Sequence, residues 1–285
     1  MDVNHQKTLK KEVVFSGRGV FEGQDAVVRL IPAPPDTGIV FKRVDLEGHP
    51  LIPAQLDFVS PSTRCTKLEQ GEAGILTVEH LMAALRGADI DNLYVEVSGP
   101  EIPILDGSSL LFSQMIQSAG VIEQDKKKTV YKLLQPLSWS QGDTHIIALP
   151  SEEYRISYTL HYPQSPYLRS QYYSYVVSSK NFLKEIAPSR TFVLYEEIEF
   201  LIQKGILKEG ASLENGVVIK GDQVLNPGGV RFPDEMVRHK ILDMIGDLSL
   251  MGTSFVAHII AIKSGHAANH LFGKELKNIL MRSAL

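Results

Sequence analysis

Two histidines in this sequence occupy equivalent positions of two similar helical patterns. His80 lies two residues after Val78, and His239 lies two residues after Val237. At 3.6 residues per turn, each histidine faces away from the apolar stripe of its own helix, towards solvent or another part of the protein. Imidazole is a common metal ligand, so two related helices that meet would bring both histidines to one site.

The second helical pattern adds carboxylates to the face that carries its histidine. His239, Asp243 and Asp247 recur every four residues, a spacing that is also typical of a solvated helix face. Two histidines, one carboxylate and a water form an open catalytic zinc site, so we predict His80, His239 and Asp243 as ligands. Glu79 precedes a ligand without being one, which suits a general base that takes a proton from water.

A further histidine, His266, follows an apolar strand in the small-residue loop Lys263-Ser264-Gly265-His266-Ala267. A lone loop histidine more often lies on the surface, but at a site it would serve as the general acid for a departing amine. Asp247 would then hold the ring of His266 in place and favour the charged form of that imidazole. The Glu-His order at 79–80, without a second histidine four residues on, does not match the H-E-x-x-H helix of metalloproteases.

The elements that must position these side chains alternate between strands and helices. Apolar periodicity predicts strands over 12–15, 26–31, 93–97, 129–137, 145–149, 154–162 and 255–262. It predicts helices over 77–86, 110–119, 181–186, 196–204 and 235–251. The mixed order favours an α+β fold built from two copies of one layered unit, packed face to face. The charged segment 123–128 is interpreted as a linker, which divides the chain into domains 1–125 and 126–285, although a chance repeat is the alternative.

Composition excludes several classes of protein. The 29 basic and 33 acidic side chains give a net charge of -4, so no overall basic field exists to hold nucleic acid. The single cysteine, Cys65, excludes an internal disulfide, and no stretch approaches the roughly 18 apolar residues of a membrane span. The polar N-terminus carries no signal-peptide pattern. We therefore expect a cytoplasmic protein without a membrane span, and no obligate protein partner is evident.

At these residues the sequence resembles the UDP-3-O-acyl-N-acetylglucosamine deacetylase family of lipid A biosynthesis. The resemblance extends over nearly the whole chain and is carried by segments 77–81, 100–108, 189–192, 237–248 and 263–267. It implies two similar domains, each a β-sheet with two packed helices, with the active site between the two helical layers. It also implies that Zn²⁺ is bound by His80, His239 and Asp243, with Fe²⁺ as the alternative ion in the cell.

The resemblance assigns roles to the remaining polar residues of these segments. Glu79 is implied as the base and His266 as the acid, paired with Asp247. Thr191 and Lys240 are implied to stabilise the oxyanion that develops on the amide carbonyl. Lys240 is otherwise an ordinary helix surface charge, and Thr191 a turn or capping hydroxyl.

The family substrate has an acyl chain and a nucleotide, and the sequence offers candidates for both. Apolar residues of an insert over 193–225, next to Phe192, either house the acyl chain or form the small core of that insert: Leu194, Ile198, Leu201, Ile206, Leu207, Val217 and Val218. By resemblance, Tyr162 stacks on uracil and Lys263 meets the diphosphate. Cys65 matches a family cysteine close to the site, and otherwise is a buried small apolar residue.

Three positions depart from the family pattern. Phe21 and Glu22 stand where the family usually has histidine and threonine, which places contacts from that loop in doubt. Val193 replaces a common glycine, and we expect it to narrow the acyl passage.

The sequence thus predicts zinc-dependent hydrolysis of the N-acetyl group of UDP-3-O-acyl-N-acetylglucosamine, with release of acetate, an early committed step of lipid A biosynthesis. The alternative is a zinc amidohydrolase acting on another acylated or nucleotide-sugar substrate. A non-catalytic module that binds UDP-sugar or acyl chains would need no base, acid and open metal site together.

Overall fold

The computed structural model describes residues 4–205 and 211–282 of the chain. In the first half the helices are α1 (Glu79–Gly87) and α2 (Leu110–Ala119), with a 3-10 turn at Leu56–Phe58. The strands of this half are β1 (His5–Leu9), β2 (Val13–Arg18), β3 (Asp25–Pro32), β4 (Ile39–Arg43), β5 (Leu51–Pro53), β6 (Val59–Ser60), β7 (Lys67–Gln70), β8 (Ala73–Ile75), β9 (Leu93–Val97) and β10 (Val121–Lys127).

The second half repeats this mixture of elements. Its helices are α3 (Phe182–Glu185), α4 (Tyr195–Gln203), α5 (Glu235–Ser249) and α6 (His266–Arg282). Its strands are β11 (Val130–Lys132), β12 (Leu137–Gln141), β13 (Thr144–Leu149), β14 (Arg155–Tyr162), β15 (Arg169–Val176), β16 (Phe192–Leu194), β17 (Val217–Lys220), β18 (Gln223–Val224), β19 (Ser254–Val256) and β20 (His258–Ile262).

Each half contains one five-stranded sheet, and the two sheets share one topology. The strand orders are β2-β3-β9-β4-β5 and β12-β13-β20-β14-β15. In both sheets the only parallel pair is the third with the fourth strand, β9 with β4 and β20 with β14. This identical mixed order confirms the α+β prediction and the two similar domains. The predicted boundary between residues 125 and 126 falls inside β10 and stays a prediction.

Helices from the two halves form the centre of the molecule. Helix α1 packs against α5, while α2 packs on α1 and α6 on α5. The first contact is close because Gly246 of α5 has no side chain: a Cβ built there would lie 2.2 Å from the carbonyl oxygen of Glu79. The apolar stripes of both central helices are fully buried, including Leu81 and Ile245. The predicted face-to-face packing of the helical layers therefore brings the histidine-bearing faces together.

The described residues of the insert over 193–225, together with Phe192, form a small layer of their own. Strands β16, β17 and β18 make a three-stranded sheet, and α4 packs on β16 and β17. Phe192 of β16 pairs with Val217 of β17 in parallel register.

Three predictions of local structure were wrong. Residues 123–128 are not a linker, because β10 pairs with β1 and its side chains are mostly exposed, which explains its polar composition. The predicted strand over 129–137 is two strands, since β11 pairs with β19 while β12 joins the five-stranded sheet. His266 is not a loop residue but the first residue of α6. Within residues 4–205 and 211–282, no helix has the length and apolar character to cross a bilayer.

Candidate metal centre and active site

The two predicted histidine ligands lie face to edge between α1 and α5. Their ring centroids are 5.0 Å apart and the ring planes are nearly perpendicular. His80 is 4% exposed and His239 is 1% exposed, so neither imidazole lies on the solvated helix face that was the alternative. The repeat in the sequence therefore corresponds to a convergence of side chains from opposite halves of the chain.

Asp243 completes the set. Its Oδ1 atom lies 3.6 Å from His80 Nε2 and 3.2 Å from His239 Nε2. Potential ligand atoms of all three residues lie within 4.8 Å of one another. A tetrahedral ion with bonds of about 2.1 Å has ligands roughly 3.4 Å apart, so the observed separations suit one small divalent ion. Asp243 Oδ1 is buried and accepts no hydrogen bond from the described residues, as expected of an atom reserved for a metal.

The tautomer of His239 is fixed by the backbone. Its Nδ1 atom lies 3.1 Å from the carbonyl oxygen of Ser189, which can only accept a hydrogen bond. Nδ1 therefore carries the proton, and the lone pair of Nε2 points towards Asp243. Burial lowers the pKa of His239 to about 3, against the opposing effect of Asp243. The neutral ring is the form that binds a metal.

Lys240 fixes the other oxygen of Asp243. Its Nζ atom donates a hydrogen bond to Asp243 Oδ2 at 2.6 Å, which leaves Oδ1 free for an ion. Burial would lower the pKa of Lys240, but the carboxylate of Asp243 raises it, so the ammonium stays charged. Burial would likewise raise the pKa of Asp243, but His239 and Lys240 hold it well below its usual value. Lys240 and Asp243 therefore form an ion pair in which both side chains are charged at neutral pH.

Glu79 begins α1 and points into the same crevice. Its carboxylate is almost fully buried, and burial raises its pKa, with His266 and His80 opposing the rise. Its Oε2 atom accepts a hydrogen bond from the amide of Thr66 at 3.0 Å, while Oε1 lies 3.8 Å from His266 Nε2. A buried carboxylate with a raised pKa and one oxygen that faces the cavity has the properties of a general base.

His266, which is partly exposed to the cavity, forms a pair with the buried Asp247. Its Nδ1 atom lies 2.9 Å from Asp247 Oδ2. Burial alone would lower the pKa of His266, but the negative charge of Asp247 raises it to about 10. The ring is therefore an imidazolium at neutral pH, and its Nε2 proton faces the side of the crevice that holds Glu79. This is the protonation state that a general acid needs.

Asp247 is held by three further residues that the sequence analysis did not identify. It accepts hydrogen bonds from Thr66 Oγ1 at 2.6 Å and Asn269 Nδ2 at 2.8 Å, and His270 Nε2 lies 3.1 Å away. Asn269 and His270 lie three and four residues after His266, on the same face of α6. Recognising that helix in the sequence would have indicated both, whereas Thr66 gave no signal in its spacing.

One cavity of about 1020 Å³ joins these groups to most of the predicted substrate residues. Its wall includes Thr191, Lys240 and Lys263 as well as Tyr162 and Phe192, whose ring centroids are 5.9 Å apart. From the insert it is lined by apolar side chains: Val193, Leu194, Ile198, Leu201 and Val218. Lys263 Nζ lies 2.9 Å from Asp143 at the surface. The polar end of the cavity is thus at the two central helices and the apolar end in the insert.

Two predicted substrate residues among those that the structure describes, Val217 and Cys65, are not on this wall. Val217 is fully buried in the small sheet behind the lining. Cys65 is buried beside the site, and burial raises the pKa of its thiol, so it stays protonated. Leu207, like Ile206, lies outside the described residues.

The loop that departs from the family pattern is anchored by Glu101, which the sequence analysis did not single out. The buried carboxylate accepts hydrogen bonds from the amides of Val20 (2.8 Å) and Glu22 (2.7 Å) and from the hydroxyl of Thr77 (3.0 Å), and it also binds the amide of Phe21. Phe21 lines the cavity, so an aromatic ring stands where a histidine was expected.

Over nearly its whole length the chain is similar to known proteins. The model of the family described as LpxC, UDP-3-O-acyl N-acetylglycosamine deacetylase, matches residues 6–278. The UDP-3-O-acyl-N-acetylglucosamine deacetylase of Chlamydia abortus is 51% identical over 275 residues, which cover 96% of this chain and 98% of the relative. The enzyme of the same name from Chlamydia pneumoniae is 50% identical over 276 residues, with the same coverage. That from Chlamydia muridarum is 46% identical over 96% of both chains.

Proposed function

Because the chain belongs to the UDP-3-O-acyl N-acetylglycosamine deacetylase family, we propose that it removes the N-acetyl group of UDP-3-O-acyl-N-acetylglucosamine as acetate, in lipid A biosynthesis. The observation that carries the proposal is the convergence of His80, His239 and Asp243 with Glu79 and His266 on one cavity. A metal site, a base and an acid on the wall of one cavity are the parts that amide hydrolysis requires. The cytoplasmic location and the lack of an obligate protein partner stay predictions.

Zinc is the ion proposed for the site, with iron(II) as the alternative. Two neutral imidazoles and one carboxylate oxygen are a donor set that zinc accepts in catalytic sites. When bound, the ion would polarise the amide carbonyl and make the attacking water more acidic.

Glu79 accepts the proton of the attacking water. Its raised pKa makes it a stronger base than an exposed glutamate. The amide of Thr66 fixes one oxygen of the carboxylate, and Glu79 lies on the cavity wall. The negative charge that develops on the carbonyl oxygen is stabilised by the ammonium of Lys240 and the hydroxyl of Thr191, both on the cavity wall. Lys240 is held in place by Asp243, so its charge needs no reorganisation during the reaction.

His266 donates a proton to the departing nitrogen. Its Nε2 atom lies 3.8 Å from Glu79 Oε1, and Asp247 keeps the ring protonated. Proton uptake by Glu79 and proton release by His266 together balance the reaction, in which water and the amide become acetate and an amine.

The two ends of the substrate fit the two ends of the cavity. The apolar walls formed by Leu194, Ile198 and Leu201 suit the 3-O-acyl chain. For the nucleotide, Tyr162 offers an aromatic face to uracil, and Lys263 offers a charge to the diphosphate once it leaves Asp143.

Two variants test the proposal. Glu79→Ala should retain the metal and lose most deacetylation, because it removes the base but no ligand; His239→Ala should lose the metal. Metal content is measured by elemental analysis and turnover by acetate release, with exposed His145→Ala as the control. Wild-type rates in Glu79→Ala would refute the base assignment. Activity on UDP-sugars without an acyl chain, equal to that on acylated ones, would favour the other zinc amidohydrolase.

A further inference from the structure

Thr66 lies at the junction of the two halves, directly before β7. It is fully buried, and its polar atoms contact both central helices. Its carbonyl oxygen accepts the amide of Val78 at 3.4 Å, and its amide donates to Glu79 Oε2 at 3.0 Å. Its hydroxyl lies 2.6 Å from Asp247 Oδ1. The same residue therefore binds the base on α1 and the partner of the acid on α5.

The protonation state of Asp247 decides which group donates the hydrogen bond between this carboxylate and the hydroxyl of Thr66. His266 and His270 hold the pKa of Asp247 low despite its burial, so this carboxylate is ionised and can only accept. The hydroxyl of Thr66 must then donate its proton to Asp247. His270 Nε2 lies 3.2 Å from the same hydroxyl oxygen and 3.1 Å from Asp247 Oδ1, so its N–H is shared as a hydrogen-bond donor between these two oxygens.

We propose that Thr66 is a positioning residue that holds the general base and the general acid at a fixed separation across the two halves of the protein. Its amide fixes Glu79 directly, and its hydroxyl fixes His266 through Asp247. This inference rests on the roles given to Glu79 and His266 in the proposed function. The bond to Glu79 uses the backbone, so a side-chain substitution leaves it in place. Such a substitution removes the hydroxyl's bond to Asp247 and its longer contacts with His270 (3.2 Å) and His266 (3.4 Å).

Substitution by valine removes the hydroxyl with little change of shape. Thr66 lies behind the cavity wall, so Thr66→Val should leave KM within about threefold. It should lower kcat about 10- to 100-fold, the range expected for one lost hydrogen bond to a buried charge. Thr66→Ser keeps the hydroxyl and should retain kcat within about threefold. A merely structural role for Thr66 predicts no such division between kcat and KM and no rescue by serine.

A second readout does not depend on catalysis. The charged groups around His266 are Asp247 and Asp243 on α5 and Glu79 on α1, with His270 beside it on α6. Without the hydroxyl of Thr66, the carboxylate of Asp247 loses one hydrogen bond that stabilises its negative charge. Its attraction for the imidazolium of His266 then becomes stronger, which should raise the pKa of His266. Titration of the His266 ring by nitrogen-15 NMR in the zinc-loaded protein, without substrate, should have a midpoint about half a pH unit higher in Thr66→Val. Thr66→Ser should titrate like the wild type.

The two readouts separate the possible failures. A fall in kcat in the valine variant, rescued by serine, together with the higher midpoint, supports the proposal. Wild-type kcat in Thr66→Val, or equal losses in both variants, would overturn it. If no variant, including the wild type, deacetylates the substrate, the proposed function fails. In that case an unchanged His266 midpoint in Thr66→Val would overturn the coupling independently.

Discussion

Replacement of Asp247 by asparagine should move the basic limb of the pH–rate profile down by several pH units. The carboxylate accepts a hydrogen bond from His266 Nδ1 at 2.9 Å, and it is the main cause of the raised pKa of that ring. Asparagine has nearly the same shape but no charge. Its amide would also offer a donor to Nδ1, which favours the neutral tautomer without a proton on that nitrogen.

The size of the effect follows from the pKa of His266. Burial alone would lower it, but Asp247, with Asp243 and Glu79 adding smaller effects, raises it from the usual 6.5 to about 10, a difference of about 5 kcal/mol at about 1.4 kcal/mol per pH unit. Without the charge and the hydrogen bond of Asp247, the effect of burial should return the pKa to about 6.5. At pH 8 roughly 3% of the rings would then be protonated, and kcat/KM should fall about 30-fold or more. Because the folded-state pKa is raised, the associated stability is complete below pH 6.5 and is lost as the pH rises through about 10.

The assay is kcat/KM for acetate release between pH 5.5 and 10.5 in the wild type and the variant. The exposed Asp36→Asn, which makes the same chemical change far from the cavity, is the control and should keep the wild-type profile. A basic limb that stays above pH 9 in Asp247→Asn, with rates close to the wild type at pH 8, would refute the role given to this carboxylate.

Two further predictions concern packing. Gly246→Ala should lower the free energy of unfolding by about 3 kcal/mol and Tm by about 6–12 °C, because its Cβ would lie 2.2 Å from the backbone oxygen of Glu79. Gly265→Ala is the control in the calorimetric measurement, because a Cβ there has no other atom within 4 Å. Equal Tm values for the two variants would contradict the close approach of the helices. Glu101→Gln should release the loop that carries Phe21, since an amide group would face backbone donors, and should raise KM several-fold while it lowers stability by about 2 kcal/mol. Unchanged KM and Tm would show that the loop needs no anchor.

The central helices could be predicted from the sequence because their signals are local. The apolar stripes around His80 and His239 have helical spacing, and the every-fourth-residue pattern of Asp243 and Asp247 places both carboxylates on the face of a histidine. The repeat then predicts that the two faces meet, and in the structure the three ligands do converge. Their roles in catalysis stay predictions.

The features that the sequence did not indicate depend on contacts between distant segments. Thr66 acquires its role from Asp247, 181 residues away, and neither neighbourhood has a distinctive spacing. Strand β10 was interpreted as a linker because its exposed side chains are polar, and its pairing with β1 links segments at opposite ends of the first half. Helix α6 was missed because it starts immediately after a glycine, which is typical of a loop.

The two similar halves differ in the residues that their central helices, α1 and α5, bring to the site. When His80 is aligned with His239, the positions of Asp243 and Asp247 fall on Ala84 and Ala88 in the first helix. Two copies of the first unit would offer two imidazoles and two copies of Glu79, but no carboxylate in the position of Asp243. Two copies of the second would place four aspartates in one buried crevice, where their mutual repulsion would be costly. Only the unlike pair combines two imidazoles with one ligand carboxylate and one glutamate base, so the proposed site requires the two halves to differ.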